Sequence, residues 1–262
     1  FNFDISSLVT TLSTQLKELD KEGEIILLDD GSAPSFRPLY RTLQSLPFVT
    51  LSTNAHNEGR MAARQKLAAM ARYPYLLFLD GDSGILSQNF LRQYYQLTIQ
   101  DAALASGGRV YTNETPGCLY RLHWKYGRAR ESRSGAAFMS NNFLIKKELF
   151  NQLDHTAMLS GYGHEDSWWG IQFRQLGVDC VYFDNPVLHT ALEAAPDFLA
   201  KSENALANLL QLEKKVDPVL LSRDIKIYRW YRRLKRTGLS GVFLLLEKPF
   251  HAFLRKNILS CH

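Results

Sequence analysis

Apolar residues follow two alternating patterns along the first half of the chain. Leucine and isoleucine recur at helical spacing over residues 5–19, and a second helix, rich in small residues, is predicted over 59–70. Two continuous apolar runs, 25–28 and 75–79, are each short enough for a strand that is covered on both faces. This succession of helix, strand, helix and strand predicts an α/β fold: a Rossmann-like, mostly parallel central sheet flanked by helices.

Both apolar runs end abruptly in acidic residues. The first leads into Asp29 and Asp30, and the second leads into Asp80, Gly81 and Asp82. Because ligands of open α/β sheets bind beyond the carboxyl ends of the strands, we expect these acids at one shared edge. Carboxylate oxygens at an open site suit Mg²⁺ or Mn²⁺ that carries a substrate's phosphates. The alternative is an aspartate that only caps a helix after the turn.

The second half of the chain is less regular. We expect a helix over 89–100, a strand over 102–111, a helix over 166–176 and a strand over 178–183. Residues 112–133 are aromatic and basic, which predicts an exposed loop or short helix, or alternatively a flexible loop that contacts a bound ligand. Residues 191–215 are expected to form one or two helices.

Composition is typical of a globular protein. The 262 residues are 45% hydrophobic and 22% charged, which suits one large α/β domain or a domain with an appendage. The three cysteines, Cys118, Cys180 and Cys261, include no C-x-x-C pair, so neither a disulfide framework nor a thiolate zinc site is expected. A reducing compartment follows from that expectation.

The positive charge is concentrated at the C-terminus. Of the net charge of +5, residues 223–262 contribute +8, which leaves −3 for the rest of the chain. Aromatic and basic residues interleave over 225–236, a pattern typical of a helix at an anionic membrane surface. A C-terminal helix packed on the body with a solvated basic face is the alternative. Nucleic acid is not an expected partner, because no groove-reading module accompanies the charge.

No apolar run reaches the roughly 18 to 20 residues that a transmembrane helix needs, and no signal peptide is visible. We therefore expect a cytoplasmic protein that is peripheral at the inner face of the membrane.

Three short motifs carry a resemblance to a known family. EIILLDDGS at 24–32, NEGRMAAR at 57–64 and YLLFLDGDS at 75–83 stand in order, and GYGHED follows at 161–166. Together they resemble the successive signatures of family 2 glycosyltransferases of the GT-A fold. The family's first strand is expected to be missing, because Phe1 and Asn2 stand where the turn after that strand ends.

The resemblance implies a domain organisation. A GT-A domain would cover 1–190, with a nucleotide-binding half over about 1–110 and an acceptor half over about 111–190. Residues 134–150 resemble the family's acceptor-side strand and turn. A helical, basic C-terminal extension would occupy 191–262.

The resemblance also implies a nucleotide site and a metal site. The residues expected to bind the nucleotide are Asp29, Asp30, Asp80, Arg60 and Arg64. Asp82, Asp80 and His189 would bind Mn²⁺ or Mg²⁺, and the imidazole ligand would favour Mn²⁺. A lone histidine such as His189 could equally be a structural residue.

The same resemblance implies catalytic residues at the GYGHED motif. Asp166 would be the base that takes a proton from the attacking hydroxyl, and Glu165 would orient the acceptor. Acids in a first helical turn also serve as simple caps, which is the alternative. The implied activity is inverting transfer of a hexose or N-acetylhexosamine from a nucleotide sugar, with a lean toward UDP, to a glycan or lipid-linked acceptor in polysaccharide assembly.

Two other functions remain open at this point. One is a sugar-phosphate nucleotidyltransferase, which also uses paired acids on a Rossmann-like sheet but ordinarily carries a glycine-rich basic loop after its first strand. The other is a relative of the same fold that binds carbohydrate or membrane without catalysis.

Overall fold

The computed structural model describes residues 1–132, 138–155 and 163–238, together with 241–242, 245–246 and 249–250. Within these residues the α-helices are α1 (Ser6–Leu19), α2 (Arg37–Leu43), α3 (Arg60–Met70), α4 (Phe90–Ile99), α5 (Arg121–Tyr126), α6 (Lys147–Gln152), α7 (Glu165–Gln175), α8 (Ala195–Leu212), α9 (Pro218–Asp224) and α10 (Lys226–Arg236). Short 3₁₀ turns cover Pro34–Phe36 and Cys118–Tyr120, and a π-helical turn covers Gly127–Glu131.

The strands are short and form three separate ladders among the described residues. They are β1 (Ile25–Asp29), β2 (Val49–Thr53), β3 (Tyr75–Leu79), β4 (Ser83–Ile85), β5 (Leu104–Ser106), β6 (Arg109–Val110), β7 (Asn142–Lys146), β8 (Val181–Tyr182) and β9 (Val187–His189). The ladder orders are β1-β2, β3-β7-β5-β8 and β4-β9-β6.

The α/β class is confirmed, but the prediction of a mostly parallel sheet is wrong. Strand β7 lies between β3 and β5 and is antiparallel to both, and β4 is antiparallel to β9. Only the β1-β2, β5-β8 and β6-β9 pairs are parallel. A continuous apolar run indicates that a strand is covered on both faces, but it carries no information about the direction of its neighbour.

The central ladder is covered on both faces by helices. On β3, Leu76 and Phe78 point into a core built with α3, α7, α8, α9 and α10, whereas Leu77 and Leu79 point into a core with α1 and α4. The alternation is that of any strand, whose successive side chains point to opposite faces. Strand β3, including its carboxyl end, therefore lies between the helices of the two cores.

Most elements predicted from the hydrophobic pattern are confirmed. Helices α1, α3, α4 and α7 and strands β1 and β3 lie within a residue or two of the expected bounds. The strand expected over 102–111 is divided into β5 and β6. Of the two structures expected for 112–133, an exposed loop or a short helix, residues 121–131 adopt the helical one. Part of the predicted 134–150 segment, residues 134–137, and residues 161–162 of the GYGHED motif lie outside the described residues.

The C-terminal helices pack on the main core. Leu212, Leu221 and Tyr228, all fully buried, belong to the same apolar cluster as Phe143 and Trp169. The expected extension is therefore helical, as predicted, and it shares a core with the preceding residues; the boundary at residue 190 stays a prediction.

Two further sequence expectations bear on the compartment. Cys118 is disulfide-bonded whereas Cys180 has a free thiol, so the expectation that the cysteines are all reduced is wrong for Cys118. The expected absence of a spanning helix agrees with the described helices, none of which is both long and apolar enough to cross a membrane.

Asn142 is a buried hub that fixes the end of β7 against two loops. Its Oδ1 accepts a hydrogen bond from the Tyr94 hydroxyl at 2.6 Å, and its Nδ2 donates to the carbonyls of Gly108 at 2.9 Å and Asn185 at 3.0 Å. The side chain is fully buried, so water has no access to replace these bonds. Asn142 thereby holds the turn that leads into β6.

Replacing Asn142 with alanine is expected to lower the free energy of unfolding by about 3 kcal/mol or more, because the buried Tyr94 hydroxyl and the carbonyls of Gly108 and Asn185 each lose a hydrogen bond. Urea unfolding would measure the change. The exposed Asn113→Ala is the matched control and should stay within about 0.5 kcal/mol of the parent chain. Equal stabilities for the two variants would contradict the role of Asn142 as a hub.

Candidate active site

The carboxyl end of β1 carries two aspartates with different surroundings. Asp29 Oδ1 accepts a hydrogen bond from the backbone N–H of Ser32 at 2.9 Å, so this carboxylate closes the turn after the strand. Asp30 accepts from the Asn54 side chain at 2.7 Å and from the backbone N–H groups of Glu58 and Gly59, each at 2.9 Å.

Asp30 therefore organises the loop that precedes α3. Burial alone would raise the pKa of Asp30, but the three hydrogen bonds to its charged form together hold that pKa below its ordinary value. The loop therefore holds Arg60, the first residue of α3, in a fixed position.

At the carboxyl end of β3, Asp80 lies between two arginines. Its Oδ1 accepts from Arg64 Nη2 at 2.9 Å, and its Oδ2 accepts from Arg109 Nη2 at 3.1 Å. Arg64 is buried, donates twice more to Ser140 at 2.9 and 2.6 Å, and lies over the Trp169 ring. Both oxygens of Asp80 are thus engaged by cations in this structure.

Asp82 faces His189 on the neighbouring ladder. The register of β4 and β9 places Ser83 opposite His189, and the Thr190 N–H and hydroxyl donate to the Asp82 carbonyl at 2.9 and 2.7 Å. Asp82 Oδ2 lies 3.2 Å from His189 Nδ1, and Oδ1 lies 3.7 Å from Arg109 Nη2. Burial would raise the pKa of Asp82, but contact with His189 and the charge of Arg109 hold it below its ordinary value.

Several buried atoms of this pair lack hydrogen bonds. Asp82 Oδ1 and both ring nitrogens of His189 are buried without a hydrogen-bond partner of adequate geometry. A carboxylate and an imidazole with unused lone pairs fit a divalent cation, and imidazole suits Mn²⁺ better than Mg²⁺. No group of three or more His, Cys, Asp or Glu side chains is arranged for a metal within the described residues. Within the described part of the chain, Asp82 and His189 thus present two side chains with unused lone pairs, and the remaining positions around a cation would fall to Asp80, to water or to a substrate.

Three residues of the site were missed at the sequence level. Arg109, only 12% exposed at its side chain, contacts Asp80 and Asp82 and lies 3.6 Å from Glu131. The Tyr111 hydroxyl donates a very short hydrogen bond to Glu131, and burial raises the pKa of Tyr111. The available signal was Gly107-Gly108 immediately before Arg109: a Cβ at Gly107 would lie 2.4 Å from the Asn185 carbonyl oxygen, so only glycine fits there.

The GYGHED motif starts α7 at the other side of the site. Glu165, which is buried, pairs with Arg60 at 2.9 Å and accepts from the Gly163 N–H at 3.1 Å. Asp166 Oδ1 is buried and has no hydrogen-bond partner. Burial and the charge of Glu165 raise the pKa of Asp166 to about 6, against the opposing effects of Ser140, Arg64 and Arg60.

These contacts join the predicted residues into one site. Asp30 fixes the loop before Arg60, Arg60 pairs with Glu165, and Arg64 links Ser140 to Asp80. Arg109 then connects Asp80 to Asp82, and Asp82 contacts His189. Asp29 lies one residue before Asp30 at the same strand end, and its side chain closes the turn to Ser32 rather than joining Asp80 or Asp82. The carboxyl of Asp166, with its pKa of about 6, can accept a proton near neutral pH.

Comparison with known proteins identifies the family. The model of the family described as Glycosyl transferase family 2 matches residues 5–163. No curated protein sequence matches the chain.

Several solved structures are similar in fold at low sequence identity. The mannosyltransferase PcManGT from Pyrobaculum calidifontis, in complex with GDP-Man and Mn²⁺, is 15% identical, with 97% of this chain and 80% of that chain covered and a TM-score of 0.49. TarS residues 1–349 from S. aureus is 13% identical, with coverages of 92% and 72% and a TM-score of 0.48. GalNAc-T7 with UDP, GalNAc and Mn²⁺ is 17% identical, with coverages of 65% and 38% and a TM-score of 0.48. Similarity at this level carries no argument about this chain's substrates.

The family match covers more than half of the chain, and it places the protein among the glycosyltransferases. The chain belongs to glycosyl transferase family 2 and has the role of that class, which is to transfer a sugar from a nucleotide sugar.

The raised pKa of Asp166 predicts a specific pH dependence of stability. Between pH 3.8 and about 6 the folded chain retains the Asp166 proton that the unfolded chain has released, so this group lowers stability as pH rises. Asp166→Asn removes the effect. Its stability relative to the parent should therefore increase from about pH 4 to about pH 6 and stay constant above that range.

Urea unfolding at a series of pH values from 4 to 8 would measure this difference. Asp179→Asn, at an exposed acid near the end of α7, is the matched control. The interpretation of Asp166 would be contradicted if both variants differed from the parent by the same amount at every pH.

Proposed function

We propose that this glycosyltransferase is inverting and metal-dependent, and that it moves a hexose or N-acetylhexosamine from a UDP-sugar to a hydroxyl group of a glycan or lipid-linked acceptor. The observation that supports this proposal is a continuous series of contacts. The side chain of Ser140 hydrogen-bonds Asp166 and accepts from Arg64, and Arg64 pairs with Asp80. Arg109 then connects Asp80 to Asp82, and Asp82 contacts His189. In this proposal a base and a phosphate-binding cluster share one site.

The donor nucleotide is assigned to the strand ends. Asp29 uses one oxygen to close its turn, which leaves the other for the nucleobase, and Asp30 holds the loop beside it. Asp80 would contact the ribose or the metal in place of its ion pair with Arg109. Arg60, Arg64 and Arg109 supply positive charge for the diphosphate, because guanidinium groups bind phosphate oxygens in pairs.

Asp82 and His189 would hold the divalent cation, with Asp80 as a further ligand. Such an ion acts as a Lewis acid that stabilises the charge on the departing nucleotide. Arg109 lies between Asp80 and Asp82 and would either move toward the phosphates or be displaced when the site is filled.

Asp166 is proposed as the general base. Its carboxyl must be deprotonated to act, and the pKa of about 6 leaves it largely ionised at neutral pH while it remains basic enough to accept a proton. The acceptor hydroxyl gives its proton to Asp166 as its oxygen bonds to the anomeric carbon from the side opposite the nucleotide, which inverts the configuration. Glu165 orients the acceptor side of the site through its pair with Arg60.

The function is tested first by nucleotide binding. Thermal unfolding with UDP, GDP and dTDP, each with Mn²⁺, with Mg²⁺ or with EDTA, should show stabilisation by UDP that depends on the metal, because a ligand that binds only the folded state raises stability. Asp82→Asn should lose the metal-dependent part of the stabilisation by UDP. Asp166→Asn should keep this stabilisation, while the rate of sugar transfer to an acceptor falls by about 10²-fold or more.

Asp179→Asn should keep both binding and transfer, as the control at an exposed acid. A relative without catalysis would bind UDP and release none from any UDP-sugar. Unchanged turnover in Asp166→Asn would remove that residue from the role of base, and stabilisation by another nucleotide would overturn the UDP assignment.

The C-terminal helix supports a second part of the proposal, a peripheral association with anionic membranes. On α10, Ile227 and Trp230 are 51% and 62% exposed and lie one helical turn apart, while Tyr228 on the opposite side is buried in the core. Lys226 and Arg233 flank the exposed pair, and Arg233 lies over the Trp230 ring. An exposed aromatic and aliphatic pair between cations is the arrangement of an interfacial helix.

The double variant Ile227→Ser/Trp230→Ser is expected to bind vesicles that contain phosphatidylserine roughly tenfold more weakly than the parent, because two apolar side chains no longer enter the interface. Cosedimentation at low and high salt measures this binding, which should also weaken with salt. Ile99→Ser at the end of α4, an isoleucine that is even more exposed than Ile227, is the control. The assignment would be contradicted if both variants lost the same share of vesicle binding, or if the parent chain bound neutral vesicles as strongly as anionic ones.

A further inference from the structure

The guanidinium of Arg109 lies between the aspartate that follows β3 and the aspartate that precedes β4. Its Nη2 is 3.1 Å from Asp80 Oδ2 and 3.7 Å from Asp82 Oδ1. Burial would lower the pKa of Arg109, but the charges of Asp80 and Asp82 raise it. Arg109 is therefore a full positive charge at the point where the two carboxylates approach each other.

The two arginines that contact Asp80 are held very differently. Arg64 makes three hydrogen bonds, two to Ser140 at 2.9 and 2.6 Å and one to Asp80 at 2.9 Å. Arg109 makes one hydrogen bond to an acid, at 3.1 Å, and its Nε is buried without a partner in the described part of the chain. A buried N–H without a partner is unfavourable, so Arg109 loses less than Arg64 when it leaves Asp80.

The backbone of Arg109, in contrast, is firmly held. Strand β6 pairs with β9, where Arg109 stands opposite Val187. The carbonyl of Gly108, the preceding residue, accepts a hydrogen bond from the buried Asn142 side chain at 2.9 Å. Movement of Arg109 is therefore a movement of its side chain alone.

Glu131 offers this side chain a second anchor. Its Oε2 lies 3.6 Å from Arg109 Nη1, the terminal nitrogen other than the one nearest the two aspartates. The Tyr111 hydroxyl donates a very short hydrogen bond to Glu131, and the Tyr111 ring packs on Gly127 so closely that no Cβ would fit there. The carboxylate of Glu131 is therefore fixed beside the guanidinium.

We infer that Arg109 competes with a divalent cation for Asp80 and Asp82, and that Glu131 holds the guanidinium once it is displaced. A cation that bound both aspartates would use the oxygens that now face Arg109 Nη2, and two cations at the same oxygens repel each other. Arg109 compensates the acids until such an ion binds. Its pair with Glu131 then keeps the positive charge within the site.

This inference rests on the proposed metal dependence and names the residue that sets the affinity for the metal. The test is calorimetric binding of Mn²⁺ alone, without nucleotide. Arg109→Gln should bind Mn²⁺ at least about tenfold more tightly than the parent, because the competing charge is gone. Arg92→Gln, at an exposed arginine of α4, is the matched control and should bind Mn²⁺ as the parent does.

A conservative variant separates direct competition from a general effect of charge. Arg109→Lys keeps the charge but replaces the planar fork with a single ammonium, which cannot contact the aspartates and Glu131 together. It should bind Mn²⁺ at least about threefold more tightly than the parent, whereas an effect of charge alone would leave the affinity unchanged. Because Arg109→Lys keeps a cation among the acids, it carries the test if Arg109→Gln does not fold.

The role of Glu131 is tested in two backgrounds. Glu131→Gln should weaken Mn²⁺ binding by about tenfold in the parent, where the displaced guanidinium loses its anchor, and by less than about twofold in the Arg109→Lys or Arg109→Gln background. Equal effects in the parent and in these backgrounds would indicate only the loss of a negative charge, and would overturn the role of Glu131.

Thermal unfolding with UDP and Mn²⁺ separates a failure of this inference from a failure of the proposed function. If the parent shows metal-dependent stabilisation by UDP, but neither Arg109 variant binds Mn²⁺ more tightly than the parent, the competition is overturned and the metal dependence stands. If UDP stabilises the parent equally with Mn²⁺ and with EDTA, and no variant binds Mn²⁺, the metal dependence and the competition are both overturned.

Discussion

The site depends on a balance of partly buried charges. Asp80 follows the carboxyl end of β3, Asp82 precedes the amino end of β4, and Glu131 ends the neighbouring π-helical turn. Arg64 and Arg109 lie among these three acids. Carboxylates held this close would repel and would resist burial without the two guanidinium groups. Removal of either arginine would leave a charge with no compensation, which costs far more than an ordinary contact. The first role of the two arginines is therefore to stabilise the folded site by compensating its acids, and their candidate role as ligands of phosphate is additional.

The same balance explains why an additional cation is expected when a nucleotide binds. Three acids face two arginines, and a diphosphate would add further negative charge to the cluster. The unused lone pairs of Asp82 and His189 lie where added positive charge would offset that excess. Arg109, which now contacts both Asp80 and Asp82, is the group whose position would have to change, because those oxygens would be shared with the new cation.

The sequence predicted the residues that stand at strand ends but not the contacts that join them. Asp29, Asp30, Asp80 and Asp82 follow long apolar runs, and this local signal survives without any knowledge of the fold. Arg109 and Glu131 are different, because their contacts depend on tertiary packing. Strand β6 lies beside β9, a pairing between residues about 80 positions apart, and the π-helical turn that carries Glu131 packs against β6. Strands of two or three residues, such as β6, carry too few positions for a periodic pattern to be visible.

The prediction of strand direction failed for a related reason. Asn142 to Lys146 is apolar enough to predict a covered strand, but its antiparallel placement between β3 and β5 is set by tertiary packing around Phe143 and Ile145. The assignments of His189 and Asp166 came from family resemblance rather than from any pattern along the chain. Their surroundings now supply physical support, namely unpaired buried atoms at both residues and a raised pKa at Asp166.

The two halves of the site are carried by strands that share no backbone hydrogen bond. Asp29 and Asp30 belong to the β1 ladder, whereas Asp80 belongs to the β3 ladder. Their separation is fixed at the site by side chains of α3, whose Arg64 contacts Asp80 and whose preceding loop is held by Asp30. Side-chain contacts tolerate small displacements more readily than a continuous ladder does, so the distance between the carboxyl ends of β1 and β3 depends on these contacts of α3 and its preceding loop.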